Sequence, residues 1–281
     1  MISGRRDLSS SAVAEHYDEL DQFYRDVWGY HVHHGLWLRG NESHHEATLQ
    51  LVRHVAEAGH ITRGRRVCDI GCGYGATARM LAADFGADVT GVTVSAAQFR
   101  YAESNPAPGV TIVLGDWLNN PLEDSSFDAA IAIESTEHMA DLAGFFRQAS
   151  RVLRPGGRLV VCAWLAHPRA SAAHRKLLLE PACREGRMAR IGLFAEYRRH
   201  FEESGFTVEQ EEDVSREVKR TWPLCAAGFA ARLARDPRYL RFLFNRHRRN
   251  RIFALTIFRI WIAFETGALR YGILTGVKRE G

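Results

Sequence analysis

Cysteine is scarce in this chain: five among 281 residues, an odd number without paired spacing. That excludes a disulfide framework and a zinc pattern, and it fits a reducing compartment. Long apolar runs are missing as well. The most apolar late segment, "IFALTIFRIWIAF", is short for a membrane span and carries Arg259, so it reads as a buried helix. The opening, "MISGRRDLSSSAVAEHYDEL", holds no apolar stretch of signal-peptide length. A formal net charge of +4 is too small to imply general polyanion binding. The expectation is a soluble, cytoplasmic protein.

What is present begins with a helix. Val13, Tyr17, Leu20, Tyr24 and Val27 recur at three- and four-residue steps. The segment "WGYHVHHGLWLRGNE" breaks that pattern, and Ser43 with Glu46 then reads as a capping box opening a helix to about Ala58. From Arg65 short β-rich runs alternate with helices: "RRVCDIG", "DVTGVTVS", "GVTIVLGD", "FDAAIAIES" and "GRLVVCAW". Helices start near Ala76, Ser95 and Asp141. Near-continuous apolar strands joined by helices predict a parallel sheet covered on both faces, hence an α/β fold of Rossmann-like type. A basic helical stretch, a strand around Phe206–Val214, a helical insertion over about 215–270 and a last strand "YGILTGVK" complete the chain.

Between the first strand and its helix stand Gly71, Gly73 and Gly75, at alternate positions. Such a loop exposes backbone N–H groups beside the positive end of a helix, where part of a ligand can press against bare peptide. A tight strand-to-helix turn is the plainer account of the first glycine. The spacing is not that of a dinucleotide fingerprint, and the second strand ends in "GVTVS" without an acid for a ribose diol. An NAD-dependent oxidoreductase is therefore the weaker reading.

"VCDIGCGYG", "GVTVSAAQ", "GDW", "FDAAIAIESTEHM" and "VLRPGGRLVV" occur in an order and spacing that resemble the class I S-adenosylmethionine-dependent methyltransferases, over about 65–164. The flanks "HYDELDQFYRDVWGYHVHHGLW", "TWPLC" and "ALRYGILTGVK" resemble the tocopherol methyltransferase group and related small-molecule methyltransferases. The cyclopropane fatty acid synthases are a more distant likeness. The resemblance implies an N-terminal helical lid over 1–60, a methyltransferase domain over 61–281 and S-adenosyl-L-methionine as cofactor. It puts Asp69, Gly71 and Gly73 beside the methionine part of the cofactor, and Asp116 and Trp117 beside the adenine. Thr93 stands where the family usually has its ribose acid, with Gln98 five residues on as the substitute. Tyr17 matches a lid tyrosine that reaches the cofactor carboxylate in the resembled enzymes.

Transfer of an activated methyl group asks the protein mainly for alignment and a dry pocket. "ESTEHM" follows the fourth β-rich run and sets Glu134, Glu137 and His138 at the end of the sheet where ligands bind. His138 is the candidate base, and Glu137 the residue to orient it or to stabilise a cation; capping of the next helix is the structural alternative. Trp28, His33, Trp164, Trp222 and Trp261 are the candidate acceptor-lining residues. His31, His33, His34, His44 and His45 cluster within fifteen residues, but "HHG" belongs to the lid of the resembled group, so no metal is expected. The run "RFLFNRHRRNR" reads as a solvated face, an anionic-substrate site or a peripheral contact with an anionic membrane. No tetrad typical of base methyltransferases follows the fourth run, which disfavours nucleic acid.

Together these features predict methylation of a small, largely apolar acceptor of prenyl, aromatic, indole or quinol type, at carbon by preference. Transfer to nitrogen or oxygen, and a non-catalytic cofactor-binding partner protein, stand as alternatives.

Overall fold

Apolar strand runs and capped helices form where the residue pattern predicts them. The computed structural model describes residues 2–3, 9–244 and 253–280. A two-residue strand β1 (Ile2–Ser3) precedes helices α1 (Ser10–Val27) and α2 (His44–Ala58). Ser43 and Glu46 form the expected capping box of α2, each side chain bonding the other's backbone N–H. The alternating region then gives β2 (Arg66–Ile70), α3 (Ala76–Phe85), β3 (Asp88–Thr93), α4 (Ala96–Glu103), β4 (Val110–Leu114) and β5 (Phe127–Ile133). A 3-10 turn at Thr136–His138, α5 (Leu142–Val152) and β6 (Leu153–Ala166) follow.

The basic stretch is a helix with a π segment at Arg175–Leu179, set between α6 (Ala172–His174) and α7 (Glu180–Glu185). Next come β7 (Arg190–Ile191), α8 (Phe194–Glu203) and β8 (Phe206–Asp213). The insertion is α9 (Ser215–Val218), α10 (Thr221–Arg235), α11 (Pro237–Phe244) and α12 (Phe253–Glu265), and β9 (Leu269–Lys278) closes the chain.

Seven strands form one sheet in the order β4-β3-β2-β5-β6-β9-β8. β2 to β6 run parallel, as expected, whereas β9 runs antiparallel to both β6 and β8. Asp213, the last residue of β8, pairs with Gly272 near the start of β9. The helical insertion thus leaves and re-enters the sheet at one end, and β9 must run back. That end carries the carboxyl termini of the parallel strands, so the insertion hangs over the switch point between β2 and β5, where such sheets bind ligands.

Helix α1 is fastened at the same end. The Ser95 hydroxyl donates to Asp18 at 2.5 Å, and Asp18 also accepts from the Ala97 N–H. The Tyr74 hydroxyl donates to Asp21 at 2.7 Å. Two carboxylates one helical turn apart on α1 thereby grip α4 and the glycine loop.

All three loop glycines have positive φ, but for different neighbours. Gly71 (φ +81) lies against the chain itself: a Cβ there would fall 2.4 Å from Ser135 Cβ. Gly73 (φ +54) faces open space, its nearest neighbour being Gln98 Nε2 at 3.9 Å. The close approach at Gly71 is therefore the next strand's loop, and only Gly73 leaves bare peptide toward the cleft. Gly71→Ala should cost about 2–4 kcal/mol, from left-handed strain plus overpacking, and Gly73→Ala about 1 kcal/mol from strain alone. Urea denaturation of both variants checks this; equal losses would contradict the assignment of crowding to Gly71.

Candidate active site

Two cavities meet beneath α1. The first is lined by Tyr17, Gly71, Gly73, Thr93, Gln98, Asp116 and Trp117, among others. Seven of the eight residues expected around a cofactor thus border one cleft. The eighth, Asp69, lines a small adjoining cavity together with His31, His33, Gly71 and Gly73.

Chemistry at each position follows from its partners. The Thr93 hydroxyl donates to Gln98 Oε1 at 2.7 Å, which turns the amide so that Nε2, a double donor, lies beside the glycine loop. The Ser95 hydroxyl accepts from the Gln98 backbone N–H and caps α4, so the Gln98 side chain takes no part in the cap. Asp116 spends one oxygen on the Leu118 N–H. The Trp117 indole is 2% exposed and donates its N–H to the Phe145 carbonyl, so one edge is core and the rest meets the cleft. Asp69 Oδ2 and His33 Nε2 are buried without hydrogen-bond partners. Burial raises the Asp69 carboxyl to about 7. Two orphaned polar atoms beside a glycine loop fit the polar amino-acid end of the expected cofactor.

The second cavity is lined by Tyr24, Trp28, His34, Met188, Trp222 and Ile260, with Glu137 and Trp164 at its inner wall. Its rings form a continuous series. Tyr17 stacks on Tyr24 at 5.2 Å, and Tyr24 meets Trp28 at 5.7 Å. Trp28 meets Trp222 edge-on at 6.0 Å, and Trp222 meets Trp164 at 5.5 Å. Tyr17, Val32, Glu134 and His138 line both cavities and form the wall between them.

The three residues of "ESTEHM" differ in state. His138 Nδ1 donates to the Arg187 carbonyl at 2.9 Å, and Nε2 accepts from the Tyr17 hydroxyl at 2.9 Å. Burial lowers the His138 pKa, so the ring is neutral at neutral pH with its basic nitrogen at the wall. Burial likewise raises the Tyr17 phenol, which stays protonated and donates. Tyr17 reaches the base rather than the far end of the cleft.

Glu137 is 2% exposed; burial pushes its carboxyl up to about 8, although it accepts from the Trp164 N–H at 2.5 Å. It is an uncharged acid at neutral pH. Glu134 suffers the same burial, yet hydrogen bonds and the neighbouring His34 outweigh it and hold the carboxyl near about 2. Its donors are the His34 N–H at 2.7 Å, the Tyr271 hydroxyl at 2.8 Å and Trp164 Nε1 at 2.9 Å. Glu134 also adopts a left-handed backbone, φ +54, at the end of β5.

Two expected acceptor residues fall elsewhere. His33 faces the small cavity by the glycine loop, whereas His34 lines the second cavity. Trp261 is half-buried on α12 but outside the cavity, to which that helix contributes Thr256 and Ile260. The Arg-rich run lies mostly at 245–251, outside the described residues. Among the described residues no group of three His, Cys, Asp or Glu side chains could hold a metal, and no helix is long and apolar enough to cross a membrane. Sequence reading named His34 only within the histidine cluster and the "HHG" motif, and it missed Arg187 and Tyr271. No spacing links them to residues 134–138; only His34, next to a singled-out histidine, carried a local signal.

Comparison with known proteins agrees with this architecture. A methyltransferase-domain family model matches residues 68–161. The chain is 31% identical to 27-O-demethylrifamycin SV methyltransferase of Amycolatopsis mediterranei (strain S699), over 95% of this chain and 97% of that protein. It is 32% identical to the chloroplastic tocopherol O-methyltransferase of Arabidopsis thaliana, over 59% of this chain and 52%, about half, of that protein. Among solved structures, the [4+2]-cyclase SpnF superposes with a TM-score of 0.84 at 26% identity, covering 100% of this chain and 98% of that one.

The state of Glu137 has a measurable consequence. A carboxyl whose pKa is raised from 4.5 to about 8 keeps its proton in the folded state while the unfolded chain releases it. It therefore costs stability progressively as pH rises between those values. Glu137→Gln removes that cost, so its melting temperature relative to wild type should climb from pH 5 to pH 8. A pH-independent difference would show that Glu137 is ionised in the fold.

Proposed function

Because the chain belongs to the class I S-adenosylmethionine-dependent methyltransferases, which here act on small molecules, we propose that it methylates a hydroxyl group of a largely apolar acceptor. One observation carries the choice of oxygen: His138 Nε2 already accepts a hydroxyl proton, from Tyr17, at the wall between the two cavities. An acceptor hydroxyl that takes the place of the Tyr17 phenol meets a neutral imidazole with its proton-accepting nitrogen free.

S-adenosyl-L-methionine supplies an activated methyl group when bound. In this reading Gly73, Thr93, Gln98, Asp116 and Trp117 hold its nucleoside part, and Asp69 with His33 receives the amino-acid part. Residues 1–60 act as the lid and 215–270 as the acceptor cap. The Arg187 carbonyl fixes the His138 tautomer, so that the proton leaving the acceptor arrives at Nε2 and the resulting imidazolium keeps a hydrogen-bond partner. Tyr24, Trp28, Trp164 and Trp222 exclude water and orient a flat or extended apolar acceptor. Among the described residues no Lys or Arg lines the second cavity.

A carbon acceptor that passes through a carbocation is the second reading, and the ionised Glu134 favours it. Glu137, uncharged, contributes nothing to such a cation. His138→Ala distinguishes the two. For a hydroxyl acceptor kcat should fall about 10²–10⁴-fold with affinity for S-adenosylhomocysteine unchanged. In wild type the acid limb of kcat should lie below the ordinary histidine pKa, since burial lowers that of His138. A kcat within about threefold of wild type in His138→Ala would dismiss the base and select the carbon reading.

A further inference from the structure

The hydroxyl that already stands at the base belongs to the protein itself. Tyr17 lines both the cofactor cleft and the acceptor cavity, and its phenol oxygen lies 2.9 Å from His138 Nε2. The other ring nitrogen sets the direction of that hydrogen bond. His138 Nδ1 faces the Arg187 carbonyl at 2.9 Å, and a carbonyl can only accept, so Nδ1 carries the ring proton. Nε2 of the neutral ring then presents its lone pair, and the phenol donates. The Tyr17 ring is held in place on several sides. It stacks on Tyr24 at 5.2 Å, and it meets His16 and His138 edge-on at 5.5 and 5.4 Å. His16 in turn bonds the Tyr24 hydroxyl at 3.1 Å. Helix α1, which carries Tyr17, is tied to α4 and the glycine loop through Asp18 and Asp21.

A phenol oxygen fixed between the cavities, with its proton aimed at a base, is an oriented nucleophile. Its hydrogen bond is the one an acceptor hydroxyl would make. We propose that Tyr17 is a self-methylation site, which takes the methyl group when cofactor is bound and acceptor is absent. The inference rests on the cleft assignment and on His138 as base. The Tyr17 oxygen forms the new bond to the methyl carbon, and the carbon–sulfur bond breaks with its electron pair left on sulfur. The phenol proton passes to His138 Nε2. Burial raises the pKa of the phenol, so Tyr17 does not ionise ahead of the transfer and the step depends on the base. A methylated Tyr17 has no proton for Nε2 and keeps an extra carbon between the cavities. An acceptor hydroxyl that displaces the phenol protects it, so the modification marks enzyme that held cofactor without acceptor.

Mass spectrometry of protein incubated with methyl-labelled S-adenosylmethionine, with no acceptor added, tests this. Wild type should gain one labelled methyl group, and peptide mapping should place it on Tyr17. Tyr17→Phe should gain none, and His138→Ala should gain it about 10²-fold or more slowly, as expected on losing a positioned base. Titration with S-adenosylhomocysteine checks that each variant keeps its cleft; where one does not, the residue mapped in wild type decides. Absence of label from Tyr17, in a wild type that methylates hydroxyl acceptors, overturns this inference and leaves the proposed function standing. Equal labelling of Tyr17 in heat-unfolded protein or in His138→Ala also overturns it, because the transfer would then owe nothing to the base. Label on Tyr17 beside acceptors methylated only at carbon would support the inference and dismiss the hydroxyl acceptor. A wild type that does not bind S-adenosylmethionine would overturn the cleft assignment and this inference with it.

Discussion

Three elements far apart in the chain converge on one carboxylate. Glu134, at the end of β5, accepts from the segment between α1 and α2 through His34, from β6 through Trp164 and from β9 through Tyr271. Releasing any of these donors would leave a buried charge less satisfied, so the α1–α2 segment, the sheet end and the last strand are held in one arrangement. The left-handed backbone at Glu134 is a strained conformation of the kind that persists only when its surroundings over-determine it. The aromatic series from Tyr17 to Trp164 is assembled around this point, since His34 and Trp164 belong both to the clasp and to the cavity wall.

The division of labour among the three ionisable groups of the β5 loop follows from what each can reach. Glu134 finds several donors and keeps its charge. Glu137 is three residues away and more deeply buried, finds mainly one backbone N–H, and keeps its proton instead. His138 is fixed from outside its own loop by the Arg187 carbonyl, on a residue with φ +51. A fixed negative charge, a neutral acid and a neutral base thus stand within five positions without neutralising one another.

The sheet was legible because apolar strand runs and capping pairs are local signals: Ser43 with Glu46 forms the box its spacing predicts. The reversed direction of β9 was not, because it depends on where the insertion re-enters the sheet, a matter of tertiary packing. Glycine spacing marked the turn between β2 and α3 but could not reveal that Ser135 crowds Gly71. At the site, Glu134, Glu137 and His138 stood out from their position, yet their ionisation depends on residues 34, 164, 187 and 271. His33 and His34 are neighbours in the chain and face different cavities. Trp261 and Ile260 differ only in which face of α12 turns inward. Neither choice is written in the neighbouring residues.

The central claim is that the wall between the cavities serves oxygen methylation, with His138 as base. Its most direct measurement is the carbon-13 spectrum of product formed from methyl-labelled S-adenosylmethionine and a panel of neutral, apolar acceptors. Each acceptor should offer both a hydroxyl and a nucleophilic carbon. The account predicts label at the chemical shift of a methoxy group, with the hydroxyl consumed. Label at the shift of a carbon-bound methyl, with the hydroxyl intact, would contradict it.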